Sequence, residues 1–355
     1  MLKLLKKVTI PVVLILMVAT LCVPVMAATG FSVSLVFPEN QRQSGSAFFD
    51  LLVRPGQVQD LVVSITNSGD EDAAMLVDVI TASTGFHGEI NYTDRGGLMD
   101  ESLQFSLEDL MDWPLEPVVV PAGVTVDVPI RLTVPMERFD GILLGAITIV
   151  REVTQDERDA AGAIVNQFGY VTAVRLMQSE NAENIPADFA LGDITAELTH
   201  HRASIVAQIR NTQPKFIRGA SASMEIFEQG SSVPIFRNEI ERLEMAPNSI
   251  FSYLFVDYEG RGMRAGDYTA AITLEFERQT WNWEQEFTIT PEVAEMVNES
   301  AINLVETGWW DYIPILVIII VGVLIIFISL MSIMMVKTSK ANKRANEQLR
   351  KMAEK

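Results

Sequence analysis

The 355-residue chain has one cysteine, Cys22, and three histidines, His87, His200 and His201. Cys22 falls inside residues 1–27, where Lys3, Lys6 and Lys7 precede an apolar stretch over 8–23 and the small-residue site Val25-Met26-Ala27. This is the pattern of a cleaved secretory signal peptide. Leu21 stands where a lipid-attachment signal needs a smaller residue, so Cys22 reads as an apolar filler. The mature chain therefore has no disulfide, no thiol nucleophile and no thiolate metal site. A secreted chain without cysteines is held by its hydrophobic cores, which suits a bacterial surface.

The histidines occupy no H-E-x-x-H or His-x-His setting, and His200 and His201 would point to opposite faces of a strand. No metal site is expected from them. G-x-S-x-G is absent, and no glycine-rich phosphate loop leads from a strand into a helix. The acidic runs Asp70-Glu71-Asp72 and Asp156-Glu157-Arg158-Asp159 lack the ligand spacing of a calcium loop and read as solvated turns. The expectation is a protein that is not an enzyme and carries no cofactor.

Basic residues are also scarce, 27 Lys and Arg against 46 Asp and Glu. Setting aside residues 1–27 and 337–355 leaves a charge of about −27. So negative a surface argues against nucleic acid and against lying flat on anionic lipid.

What is present begins with an uncharged apolar run over residues 313–336. As a helix it would be about 36 Å long, enough to cross a ~30 Å hydrocarbon core with some tilt. Trp309, Trp310 and Tyr312 flank one side as interface anchors, and Lys337, Lys340, Lys343 and Arg344 the other. The basic side is cytoplasmic, so the expectation is a single-pass membrane protein with its N-terminal part outside. No L-P-x-T-G signal precedes the run, so the helix is expected to persist. The basic tail, 337–355, reads as a stop-transfer segment.

Between the two apolar segments the pattern is short strands with turn signals and almost no helical periodicity. Val124, Val126, Val128, Ile130, Leu132 and Val134 alternate with polar residues, and Pro129 marks an edge strand or bulge. Leu61, Val63 and Ile65, the turn residues Asn67-Ser68-Gly69-Asp70, and Met75, Val77 and Val79 read as a hairpin. Residues 141–150 are apolar on both faces, as in a central strand, and 170–178 can pair with them. A polar linker over 181–188 precedes a second strand set at 194–198, 203–210, 221–228, 235–240, 250–258, 267–276 and 281–290.

The prediction is an all-β fold of two immunoglobulin-like β-sandwiches, 28–180 and 189–290, followed by a stalk over 291–312 and the membrane helix. The stalk has a helical stripe of Val293, Met296, Val297, Ile302 and Val305, and a flexible coil fits it nearly as well. Tyr268 resembles a tyrosine corner. Trp281 and Trp283 share a strand face with Phe287 and Ile289 and read as core. Tyr92 and Trp113, in loop-like segments, are the candidate ligand-binding aromatics, with core capping as their structural alternative.

Phe37-Pro38-Glu39-Asn40-Gln41, Phe49-Asp50-Leu51 leading to Val53-Arg54-Pro55-Gly56-Gln57, and Ile65-Thr66-Asn67 are followed by Phe139-Asp140-Gly141-Ile142-Leu143-Leu144-Gly145 and Asn166-Gln167-Phe168-Gly169-Tyr170. Ala265-Gly266-Asp267-Tyr268 and Trp281-Asn282-Trp283 with Phe287-Thr288-Ile289 complete the order. Together they resemble the WxL-interacting proteins of Gram-positive cell surfaces. The chain departs from that pattern over residues 84–90, where an Asn-rich turn is expected. The resemblance implies a surface scaffold whose first domain binds peptidoglycan and whose second binds a host or partner protein, in a complex with WxL-domain proteins. Two alternatives stay open: a chaperone-like assembly factor that accepts a partner's strand, and a polysaccharide-acting enzyme with a paired-carboxylate cleft.

Overall fold

A computed structural model describes residues 30–42, 45–155, 158–159, 167–257, 260 and 262–301. The signal segment, the apolar run 313–336 and its flanks Trp309, Trp310, Tyr312, Lys337, Lys340, Lys343 and Arg344 lie outside these. No helix among the described residues is long and apolar enough to cross a membrane.

The fold is all-β. Its N-terminal half contains β1 (Phe31–Val36), β2 (Phe49–Leu52), β3 (Val58–Asn67), β4 (Ala73–Thr81), β5 (Ser83–Thr84), β6 (Ile90–Asn91), β7 (Met111–Asp112), β8 (Val118–Val120), β9 (Thr125–Thr133), β10 (Leu143–Arg151) and β11 (Gly169–Met177). One sheet has the order β1-β3-β9-β7 and the facing sheet β2-β11-β10-β4-β8. Alternation explains how they pack: Leu61, Val63 and Ile65 of β3 and Val128, Ile130 and Leu132 of β9 are buried in one core with Met75 and Val79 of β4. β10 is central in its sheet, between β11 and β4, and is apolar on both faces because Leu143, Ile147 and Ile149 enter the first core while Leu144 packs into a separate cluster with Ile142, Met177 and Ala246.

The C-terminal half contains β12 (Phe189–Thr199), β13 (Arg202–Asn211), β14 (Ile217–Glu228), β15 (Phe236–Met245), β16 (Ile250–Val256), β17 (Gly266–Phe276) and β18 (Gln279–Ile289). The sheets are β12-β13-β16 and β15-β14-β17-β18, around a core of their own. This order repeats the first half strand for strand: β1-β3-β9 corresponds to β12-β13-β16, and β11-β10-β4-β8 to β18-β17-β14-β15.

One buried asparagine marks the repeat. Asn67 Nδ2 donates to Glu71 O at 2.8 Å and Val120 O at 2.9 Å, and its Oδ1 accepts from Gly69 N. Asn211 Nδ2 donates to Lys215 O and Ala246 O, both at 2.8 Å, and its Oδ1 accepts from Gln213 N. Each thus ties the end of one strand to the end of a strand of the facing sheet, Val120 closing β8 and Ala246 directly following β15.

Several expectations need correction. β3 and β4 are not a hairpin, since β3 pairs with β1 and β9 while β4 pairs with β10 and β8. The turn at Asn67 carries the chain across to the other sheet. His200 and His201 are not in a strand: both have positive φ, 50° and 60°, in the turn between β12 and β13.

The linker 181–188 contains a 3-10 turn, Ala182–Asn184, with Ala182 buried. The stalk is not free at its start. Helix Pro291–Ser300 is capped by Thr290 and packs Ala294 and Val297 into the second core, because its apolar stripe finds an uncovered end of that sandwich. Asn298 fixes it further, accepting from Met263 N and donating to Met263 O, each at 2.8 Å.

The halves meet through the excursion between β4 and β8. Leu98, Asp100 and Gly88 pair by backbone with Ile250, Asn248 and Glu244 of the second half. Arg210 Nε donates to the buried Asp100 carboxylate at 2.5 Å and Arg210 Nη2 to Glu101 at 2.7 Å. Thr84 and Ser249 share a buried hydroxyl hydrogen bond of 2.6 Å.

Candidate functional site

An open groove of about 1060 Å³ on the first sandwich has polar groups left over. Two segments shape it. The turn Arg54-Pro55-Gly56-Gln57 closes by Gln57 N donating to Arg54 O at 3.0 Å, with Gly56 at φ 72° supplying the left-handed residue. Residues 38–42 zip along β2: Arg42 N donates to Asp50 O at 2.8 Å and Asp50 N to Gln41 Oε1 at 3.1 Å.

The walls carry Asn40, Gln41, Gln57, Gln59 and Gln178, with Arg42 and Arg54. Gln57 is fully employed, accepting from Arg54 N and donating to Gln59 Oε1 at 2.7 Å. That bond orients the Gln59 amide and leaves its Nε2 buried with no partner among the described residues; both polar atoms of Gln178 are in the same state. Buried amide groups without partners are uncommon, because each has lost its water and gained nothing. Here they border a groove large enough to admit a ligand.

A charged network sits beside them. Asp50, almost fully buried, receives a forked pair of bonds from Arg175 at 2.8 and 2.7 Å, and Arg42 lies 3.6 Å away. Hydrogen bonding to Asp50 raises the Arg175 pKa, so that guanidinium stays charged. Arg42 also reaches Glu180 at 3.2 Å. Arg54, by contrast, is exposed at the rim. The groove can therefore exchange hydrogen bonds with hydroxyls and amides, and offers cations to a carboxylate.

Neither sequence-chosen aromatic lines it. Tyr92 is half-buried at the junction of the sandwiches, against a cluster that includes Ile142, Met177 and Ala246, and burial raises its phenol pKa. Trp113 packs on the first core with the Arg95 guanidinium 5.9 Å over its ring. The groove's glutamines escaped the sequence reading because they carry no motif. The available signal was their spacing, Gln57 and Gln59 at the start of a strand that is otherwise apolar inward.

Two family models match the chain: WxL Interacting Protein, peptidoglycan binding domain, over residues 31–151, and WxL Interacting Protein, host binding domain, over 159–299. No curated protein matches. Among solved structures, the chain is similar to the class 5 fimbriae chaperone CfaA at 11% identity and TM-score 0.28, covering 73% of this chain and 100% of that one. The E. coli chaperone DraB is similar at 13% identity and TM-score 0.27, covering 73% and 98%. Likenesses this distant carry no argument about function. The two family models together span most of the sequence, and the chain belongs to the WxL-interacting protein family.

Proposed function

We propose that the chain is a non-enzymatic surface scaffold, anchored in the membrane by residues 313–336 with its N-terminal part outside. Its first domain holds peptidoglycan in the amide-lined groove, and its second holds a WxL-domain or host protein. The observation carrying the wall-binding half is the set of amide atoms on Gln59 and Gln178 that have no partner among the described residues and border the groove. Glycan hydroxyls, N-acetyl groups and stem-peptide amides each present the donors and acceptors these atoms lack. Arg54 at the rim suits a peptide or muramyl carboxylate. Holding two ligands on one tethered chain raises the effective concentration for the second contact without demanding a tight first one.

The test is co-sedimentation of the full chain, in detergent, with purified cell-wall sacculi. Gln59→Ala and Gln178→Ala together should weaken binding about tenfold, the loss of one to two hydrogen bonds. Wild-type binding by the double variant would remove the groove from the function, and no binding by the wild-type chain would remove peptidoglycan.

A further inference from the structure

The sheet β2-β11-β10-β4-β8 has a strand that its counterpart in the second sandwich lacks. β2 lies beyond β11, whereas β18, which corresponds to β11, ends its sheet. The amide-lined groove is built on that addition, from the end of β2 at Leu52, the turn after it, and the segment 38–42 paired along its outer side. Among the described residues the repeat therefore gives the second sandwich no equivalent of this groove.

Three features of the groove fit a peptide better than a glycan. The first is that one glutamine in its wall already reads an extended chain. Gln41 Oε1 accepts from Asp50 N at 3.1 Å, and Gln41 Nε2 donates to Phe48 O at 3.0 Å. Along an extended segment the N–H and C=O groups of alternate residues point to the same side, so one carboxamide can satisfy both. Gln178 borders the groove with the same donor and acceptor, and neither has a partner among the described residues.

The second feature is the lack of a surface for sugar rings. Pyranose C–H faces are gripped by aromatic side chains laid against them, and no aromatic residue among those described lines the groove.

The third is a pair of opposite charges left free. Arg54 and Glu39 both line the groove and are exposed, and neither side chain makes an ion pair or hydrogen bond among the described residues. Arg42, by contrast, is held by Asp50, Glu180 and Glu183. In so acidic a chain, a guanidinium with no carboxylate beside it is available to an incoming one. A ligand that satisfies both free groups carries a carboxylate and an ammonium.

We propose that the groove binds the stem peptide of peptidoglycan rather than its glycan strand, and that it selects stems that are not cross-linked. Gln178, itself half-buried, turns its amide onto one extended residue of the stem. Arg54 takes the free C-terminal carboxylate, and Glu39 takes the free amine of the diamino acid. Cross-linking converts that amine to an amide and removes its charge, so a cross-linked stem loses the Glu39 contact. The proposal rests on the reading that the first domain holds peptidoglycan in this groove.

Titration of the full chain in detergent tests it, with two parts of the same polymer as probes: a synthetic stem pentapeptide whose amine and carboxylate are free, and glycan strands stripped of peptide by an amidase. The stripped strands should bind about tenfold more weakly than the pentapeptide, or worse. Acetylating the peptide's side-chain amine should weaken wild-type binding about tenfold, the loss of one charge-assisted hydrogen bond. Glu39→Gln should bind the free and acetylated peptides alike, and Arg54→Gln should bind the peptide acid and its C-terminal amide alike. Both variants should keep the wild-type melting temperature, and each is compared with itself across two peptides, so a general loss of affinity does not imitate the result. Stripped strands that bind as well as the pentapeptide, or wild-type affinity unchanged by acetylation, overturn the proposal; co-sedimentation of the same chain with sacculi then leaves the peptidoglycan reading standing. Absence of sacculus binding removes that reading and the proposal with it.

Discussion

Asn67 and Asn211 each satisfy two backbone carbonyls and hold one turn amide, from positions almost wholly buried. Replacing either with alanine leaves those carbonyls without their side-chain donor. Each substitution should cost about 2–3 kcal/mol, read from chemical denaturation, and the two costs should be similar. An effect under about 0.5 kcal/mol would mean the turns close without them. Asn67 was legible in the sequence as a turn residue, since Gly69 follows it. Its structural role was not, because Val120 lies 53 positions away and Ala246 lies 35 from Asn211. The glutamines of the groove were illegible for a related reason: a side chain that lacks a partner leaves no pattern in sequence.

The strands themselves could be read from alternation, because a face that is either buried or wet imposes a period of two on residue choice. Pairing could not. β3 and β4 look like the arms of a hairpin, yet they belong to facing sheets, and both arrangements ask for the same alternation on either side of a turn. The tyrosine corner was legible locally, and Tyr268 Oη donates to Arg264 O at 2.9 Å. Trp281 and Trp283 lie half-buried on the second core, as their shared face implied. The helix after β18 was visible as a stripe, but what it touches depends on where the sandwich leaves apolar surface uncovered. Val297→Ala should destabilise the second sandwich by about 2 kcal/mol, measured as an earlier denaturant midpoint. A residue on a detached stalk would give no change.

At the scale of the whole molecule, the junction decides whether the sandwiches act as one body. Burial alone would raise the Asp100 pKa, but hydrogen bonds from Arg210 and Ser102 outweigh it and hold the carboxyl below its ordinary value. A depressed pKa contributes stability that is present above the unfolded value and is lost as pH falls through the folded one. The junction should therefore loosen in acid, below about pH 4, and Asp100→Asn should flatten that part of the pH profile. Arg210→Ala strands a buried carboxylate and should cost about 3 kcal/mol, splitting a single thermal transition into two. One unchanged transition would show that the polar contacts at the junction contribute little. None of these pairs could be read from sequence, since Asp100 and Arg210 lie 110 positions apart.

The docked C-terminal helix also sets where the two sandwiches can be cut from whatever follows them. A protease cutting just after β18, at Thr290, would strip Ala294 and Val297 from the core and leave Met263 without the Asn298 side chain. The shed fragment would be damaged at the base of its second sandwich. Cleavage beyond Ala301 would leave every contact of that helix in place, so shedding that preserves binding must occur on the distal side of it.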